Sequence, residues 1–68
     1  MQAKTNAIEA FRGRPWFVST LVLAELNART SWECEFTNDI RAMFEKYDTN
    51  TALTATQIKQ IRQLAAKN

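Results

Sequence analysis

Large apolar side chains recur along residues 32–47 at the spacing of one helix face, and this series constrains the fold most strongly. Its members, mostly three or four residues apart, are Trp32, Phe36, Ile40, Met43, Phe44 and Tyr47. At roughly 100° per residue they fall within an arc of about 120°. Just ahead, Thr30 and Glu33 have the spacing of a capping box. The pattern predicts an amphipathic helix that begins near Ser31 and carries an aromatic seam.

A second capping-box pattern lies nearer the C-terminal end. Thr54 and Gln57 are three residues apart and follow a polar loop at residues 48–53. The pattern predicts a last helix that runs to about Lys67. Its inward-facing residues are Leu53, Ile58, Ile61, Leu64 and Ala65, and its outward-facing residues are Lys59, Gln60, Arg62, Gln63 and Lys67.

The chain's one glycine and one proline lie together, as Gly13 and Pro15. Proline suits the first turn of a helix, so this break separates a short helix over about Thr5–Arg12 from a longer one over about Pro15–Ala28. The longer segment is apolar around most of its circumference, which is typical of a helix buried on several sides. Residues 16–24 also favour a strand. Helix is preferred because no second strand is recognisable to satisfy the backbone of the first.

These segments predict an all-α fold, a small bundle of three to four helices, in one helical domain over residues 1–68. A chain of 68 residues buries only a modest core.

Composition narrows the functional classes. The sequence has no histidine and one cysteine, Cys34, so the commonest general base, an ordinary zinc site and an internal disulfide are all excluded. Cys34 lies between Glu33 and Glu35, whereas a reactive thiol needs basic neighbours. The longest apolar stretch is too short to span a bilayer. We therefore expect a protein that is not an enzyme, without metal, cofactor or membrane association, in the cytoplasm.

About half of the chain carries a recognisable pattern. It consists of Trp32-Glu33-x-x-Phe36-x-x-x-Ile40, a polar gap, and Leu53-Thr54-x-x-Gln57-x-x-x-Ile61-x-x-Leu64-x-x-Lys67. This pattern resembles a helical-hairpin motif of small bacteriophage and prophage proteins, in which W-E-x-x-F precedes L-T/S-x-K-Q. The sequence departs from the motif at Thr56, where lysine is usual, and its gap is longer. The resemblance implies a phage or mobile-element origin, and hence a bacterial host cell, and it names no activity.

The first functional hypothesis is protein binding. Two Trp, four Phe and one Tyr are many for so small a core, and Trp and Tyr are preferred interface anchors. Trp16 follows Pro15 at a helix start, where full burial is difficult. We therefore expect an interaction module that binds and modulates a host or phage protein, such as one of the replication or transcription machinery. Its predicted partner-binding residues are Arg12, Arg14, Trp16 and Phe17.

The alternative hypothesis is nucleic-acid binding through the last helix. Basic side chains there can neutralise phosphates, and Gln63 can contact base edges. The predicted residues are Lys59, Arg62, Gln63 and Lys67. Against this, the preceding helix is acidic and the net charge is only +2. A structural homo-oligomer is a third alternative, because a dimer lets a short chain bury more surface.

Overall fold

The protein is mostly helical, with one short sheet. A computed structural model describes residues 3–67. Along this range the elements are β1 (Lys4–Asn6), α1 (Ala7–Ala10), α2 (Arg14–Asn27), α3 (Ser31–Tyr47), a 3₁₀ turn (Asp48–Asn50), β2 (Ala52–Thr54) and α4 (Ala55–Ala66). The segment over residues 16–24, for which a strand was the alternative, is helical.

Both predicted capping boxes are confirmed. The backbone N–H of Glu33 donates to Thr30 Oγ1 at 3.0 Å, and the Glu33 carboxylate accepts from the Thr30 N–H at 3.1 Å. Thr54 and Gln57 make the same reciprocal pair at 2.9 and 3.1 Å. Each pair satisfies N–H groups that lack a partner within the helix, and so fixes where α3 and α4 begin.

The turn between α1 and α2 is a Schellman motif. The Gly13 N–H donates to the Ile8 carbonyl at 2.8 Å, and the Arg12 N–H donates to the Glu9 carbonyl at 3.1 Å. The left-handed position of such a motif is usually occupied by glycine. Here it is Arg12, with φ of 62°, while Gly13 adopts φ of 138° at the start of α2. This turn therefore holds a non-glycine residue in a strained conformation.

The prediction of an all-α fold needs a correction, because β1 and β2 form a two-stranded antiparallel sheet within the described residues. Thr5 lies opposite Leu53. The predicted first helix, Thr5–Arg12, is shorter than expected because the Asn6 side chain accepts from the Glu9 N–H and caps α1 at that point. Strands of three residues are too short to show the alternation that reveals a strand in sequence.

The core is centred on Phe17. Its ring lies 5.3 Å from that of Phe11 and 5.2 Å from that of Phe44, measured between centroids. The other buried apolar residues come from α1, β2 and all three longer helices: Ala7, Leu21, Ala24, Ile40, Leu53, Ile61 and Leu64. The aromatic seam of α3 is buried only in its middle, since Trp32 and Tyr47 at its ends are about half exposed.

Polar contacts fix how α2 lies against its neighbours. Glu25 pairs with Arg41 of α3 at 2.6 Å, on the side of α2 that faces α3. At the end of α2, Asn27 Nδ2 donates to the Leu64 carbonyl at 2.9 Å and the Ala65 carbonyl at 3.3 Å, which satisfies carbonyls in the last turn of α4. The sides of α2 that face α3 and α4 are therefore occupied.

Candidate interaction surfaces

The structure separates the four residues predicted to bind a partner protein. Trp16 is 67% exposed in the first turn of α2, whereas Phe17 is fully buried. Arg14 makes two hydrogen bonds to the Asp48 carboxylate, at 2.8 and 3.3 Å, and Arg12 is exposed in the α1–α2 turn. The prediction that Phe17 binds a partner is therefore wrong. Phe17 is a core residue, and a ring without exposed surface cannot contact a partner.

The outward side of α2 is apolar. At 100° per residue, five of its residues span an arc of about 120°, on the side away from the buried Phe17, Leu21 and Ala24. We call this side the apolar face of α2, and its members are Trp16, Ser19, Val22, Leu23 and Leu26. Leu26 is 71% exposed and Leu23 is 49% exposed. Within Arg14–Asn27 no charged residue falls on this arc, which is unusual for the solvent side of a helix.

A groove of about 540 Å³ adjoins the apolar face at Trp16. We call it the basic groove, and its lining residues are Ala10, Phe11, Arg12, Trp16, Thr20 and Arg62. The Arg62 guanidinium lies 4.7 Å from the centroid of the Phe11 ring, and its Nη2 donates to the Ala10 carbonyl at 2.9 Å. Arg62 is therefore held in place at the groove wall, so its charge is fixed there before any ligand binds.

A second groove shares Arg62 with the first and follows α4. We call it the α4 groove, and its lining residues are Thr5, Ala55, Ile58, Lys59, Arg62, Gln63 and Ala66. None of the described residues that line these two grooves is an aspartate or a glutamate. The two grooves thus have a uniformly basic or neutral lining, which favours anionic ligands.

Lys67 does not belong to this basic surface. Its ammonium lies 2.7 Å from Glu33 Oε2, and the Glu33 side chain is only 14% exposed. The Lys67 ammonium, with the backbone N–H groups of Arg29 and Thr30, lowers the pKa of the Glu33 carboxyl to about 2. Because its charge is compensated by Glu33, Lys67 is a poor candidate for phosphate binding, and we remove it from the nucleic-acid set.

Membrane-spanning helices and metal sites were also sought among the described residues. Across residues 3–67, no helix combines the length and the apolar character needed to cross a membrane. No three His, Cys, Asp or Glu side chains in that range converge in a way that could hold a metal ion. Cys34 is exposed.

Comparisons with known proteins do not bear on these surfaces. Models of protein families, curated proteins and solved structures gave no match to this chain. The resemblance of residues 32–67 to phage proteins therefore stays an expectation.

Sequence reasoning missed two features of these surfaces. It did not single out Val22, Leu23 and Leu26 as exposed, although an apolar helix in so short a chain has few neighbours to cover it. It also did not connect Trp16 with Arg62, whereas the fold brings both to one groove together with Arg12. No sequence signal connects residues fifty positions apart in this way.

Proposed function

We propose that this protein is a non-enzymatic interaction module that binds and modulates another protein through the apolar face of α2. The observation that carries the proposal is the exposure of Leu23 and Leu26 beside Trp16 on a helix side with no charge. Contiguous exposed apolar surface on a small protein marks a site of interaction. Charged residues are also depleted at the centres of protein interfaces, as they are on this face.

The distribution of the aromatic residues supports the same function. Of the chain's seven aromatic residues, the four phenylalanines contribute to the core or pack against it. Trp16, Trp32 and Tyr47 are each about half exposed or more. Tryptophan and tyrosine are the residues that most often dominate binding energy at interfaces. The phenylalanines therefore stabilise the core, and the two tryptophans and the tyrosine are left on the surface, where they can bind a partner.

The resemblance to phage proteins directs the search for the partner. Such a module acts by occupying a surface of a larger protein, and no chemistry of its own is required. Host or phage proteins of the replication or transcription machinery are the first candidates.

The test is capture from bacterial lysate after nuclease treatment, with immobilised wild-type protein and two variants. Leu26→Asn should abolish capture of the partner, because it replaces the most exposed leucine of the apolar face with a polar group. Trp16→Ala should weaken binding by about 2 kcal/mol or more, as truncation of a hot-spot residue does. Glu35→Gln, an exposed change on α3, is the matched control and should bind like the wild type. Equal capture by Leu26→Asn and the control would exclude the apolar face as the binding surface.

A homo-oligomer is a second candidate, favoured by one specific observation. Trp16, Ser19, Leu23 and Leu26 have the a and d spacing of two successive heptads, which is the pattern of a helix that pairs with a copy of itself. Sedimentation equilibrium distinguishes the two functions. A dimer that Leu26→Asn converts to a monomer would mean that the face is covered by a second copy.

A further inference from the structure

The basic groove and the α4 groove share Arg62 in their linings, and we call the two grooves together the Arg62 path. We propose that this path binds single-stranded nucleic acid, with phosphates on Arg12, Arg62 and Lys59 and a base stacked on Trp16. This activity uses the grooves beside the apolar face of α2 and shares only Trp16 with the protein binding proposed above. It also does not depend on that proposal being correct.

The charges along the path match a polyanion. Lys59 is exposed on α4 and lines the α4 groove, Arg62 lines both grooves, and Arg12 lines the basic groove with it. The part of the chain that the structure describes places no carboxylate in the lining of either groove. A linear phosphate backbone that follows this path meets three cations in succession, and the release of its counterions favours binding.

The exposed indole of Trp16 selects a single strand over a duplex. Proteins that bind single strands combine a basic groove with aromatic side chains on which unpaired bases stack. The indole is at the mouth of a concave groove, so a base must leave its own helical stack to reach it. The bases of a duplex are already stacked on each other. An acidic peptide would meet the same cations and gain much less from the indole.

The guanidinium of Arg62 and the backbone of Arg12 are both fixed before a ligand arrives. The Phe11 ring and the Ala10 carbonyl hold the guanidinium of Arg62, and a cation that is already fixed loses little entropy on binding. Arg12 occupies the left-handed position of the Schellman motif, at φ of 62°, where glycine would fit without strain. Backbone strain of this kind is typically retained at functional sites. Here the strained residue places a positive charge in the lining of the basic groove.

The experiment uses a Trp32→Phe background, in which Trp16 is the only tryptophan. This protein is titrated with oligothymidylate and, separately, with duplex DNA of the same length and with polyglutamate. Oligothymidylate should quench the fluorescence of Trp16, and the other two probes should not. The logarithm of the binding constant should fall with the logarithm of salt concentration with a slope of about −2, since three phosphate contacts contribute roughly 0.7 each.

Three variants locate the site without disturbing the core. Arg12→Asn keeps a residue that tolerates positive φ, and Lys59→Gln changes an exposed side chain, so both should fold like the parent. Together they should weaken oligothymidylate binding about tenfold or more and reduce the salt slope to about −0.7, because one phosphate contact remains. Arg29→Asn also removes a positive charge, but it does so beyond the end of α2, about 15 Å or more from Trp16. It should bind oligothymidylate like the parent.

Several outcomes would overturn the proposal. Absence of binding at low salt would exclude the site. Equal affinity for duplex DNA without quenching would mean that only non-specific charge attraction is present. Displacement of oligothymidylate by polyglutamate at equal charge would assign the path to an acidic protein. Equal losses from Arg29→Asn and the double variant would place binding elsewhere. Leu26→Asn should leave oligothymidylate binding intact, so the protein-binding proposal can fail without affecting this one.

Discussion

Arg12 combines a conformational cost with a position at a proposed binding site. A non-glycine residue in the left-handed region costs roughly 1–2 kcal/mol, because its Cβ approaches the following carbonyl. This strain lowers the free energy of unfolding. The hydrogen bonds of the Schellman motif nevertheless hold Arg12 in the left-handed conformation. The choice of arginine at this position thus opposes stability.

Arg12→Gly should therefore stabilise the protein by about 1 kcal/mol, since the strain is relieved and only part of the gain is offset by the greater freedom of glycine in the unfolded chain. Urea unfolding followed by circular dichroism measures the change. Arg12→Ala is the matched control, because it removes the guanidinium and keeps the Cβ, and it should not be more stable than the wild type. Equal stabilisation by the two variants would show that the charge of Arg12, and not its backbone conformation, is unfavourable.

Two neighbouring aromatic residues show the limit of residue-level prediction. The sequence places Trp16 and Phe17 together at a helix start, and both were predicted to bind a partner. They point in directions about 100° apart, so one ring enters the core and the other is left in solvent. The exposure of Trp16 could be expected from its place after Pro15. The burial of Phe17 depends on Phe11 and Phe44, which the sequence does not connect to it.

At the scale of elements, α2 has two apolar sides with different surroundings. Leu21 is fully buried, and Leu23, two residues further along the same helix, is 49% exposed. Because the two side chains are chemically identical, a comparison of their substitutions shows how burial alone affects the free energy of unfolding.

Leu21→Ala should lower the free energy of unfolding by about 2–5 kcal/mol, as large-to-small changes in a core do. Leu23→Ala should change it by no more than about 0.5 kcal/mol, as is usual at the surface. Thermal unfolding of the two variants at low protein concentration measures the difference. A large loss for Leu23→Ala that grows with protein concentration would indicate that the apolar face is covered by another copy of the chain.

The elements differ in how far the sequence predicts them. The starts of α3 and α4 follow from local chemistry, because Thr30 and Thr54 each find a partner three residues later. The sheet does not follow from local chemistry, since residues 4–6 and 52–54 carry no strand pattern and lie far apart in the sequence. The two grooves depend on that assembly as well, because each is lined by residues from both ends of the chain.

At the scale of the whole molecule, ion pairs join the helix ends and make stability depend on pH. Glu33 at the start of α3 holds Lys67 just after the end of α4, and Asp48 after α3 holds Arg14 at the start of α2. The hydrogen bonds from Arg14 also lower the pKa of the Asp48 carboxyl. Both carboxylates favour the folded state while they are ionised.

For Glu33 the folded-state pKa is about 2, against an ordinary value of 4.5. Its contribution is therefore complete above about pH 4.5 and is lost as the pH falls through about 2. Glu33→Gln, which keeps a capping-box residue, should reduce the loss of stability over this range without removing it, because Asp48 still titrates. Melting temperatures at a series of pH values give the comparison. An unchanged pH profile would mean that ionisation of the Glu33 carboxylate contributes nothing to folding.

The pairing of β1 with β2 has a consequence for how the chain is made. Asn6 also donates to the Thr49 carbonyl, across a separation of 43 residues, so β1 is completed by a segment that is synthesised much later. A ribosome adds roughly 5–20 residues per second, and contacts this distant in sequence cannot form until β2 has left the exit tunnel. Ala7 and Phe11, which belong to the core, wait exposed for that time. The core therefore closes only after β2 has left the exit tunnel, when Ala7 and Phe11 meet the residues that cover them.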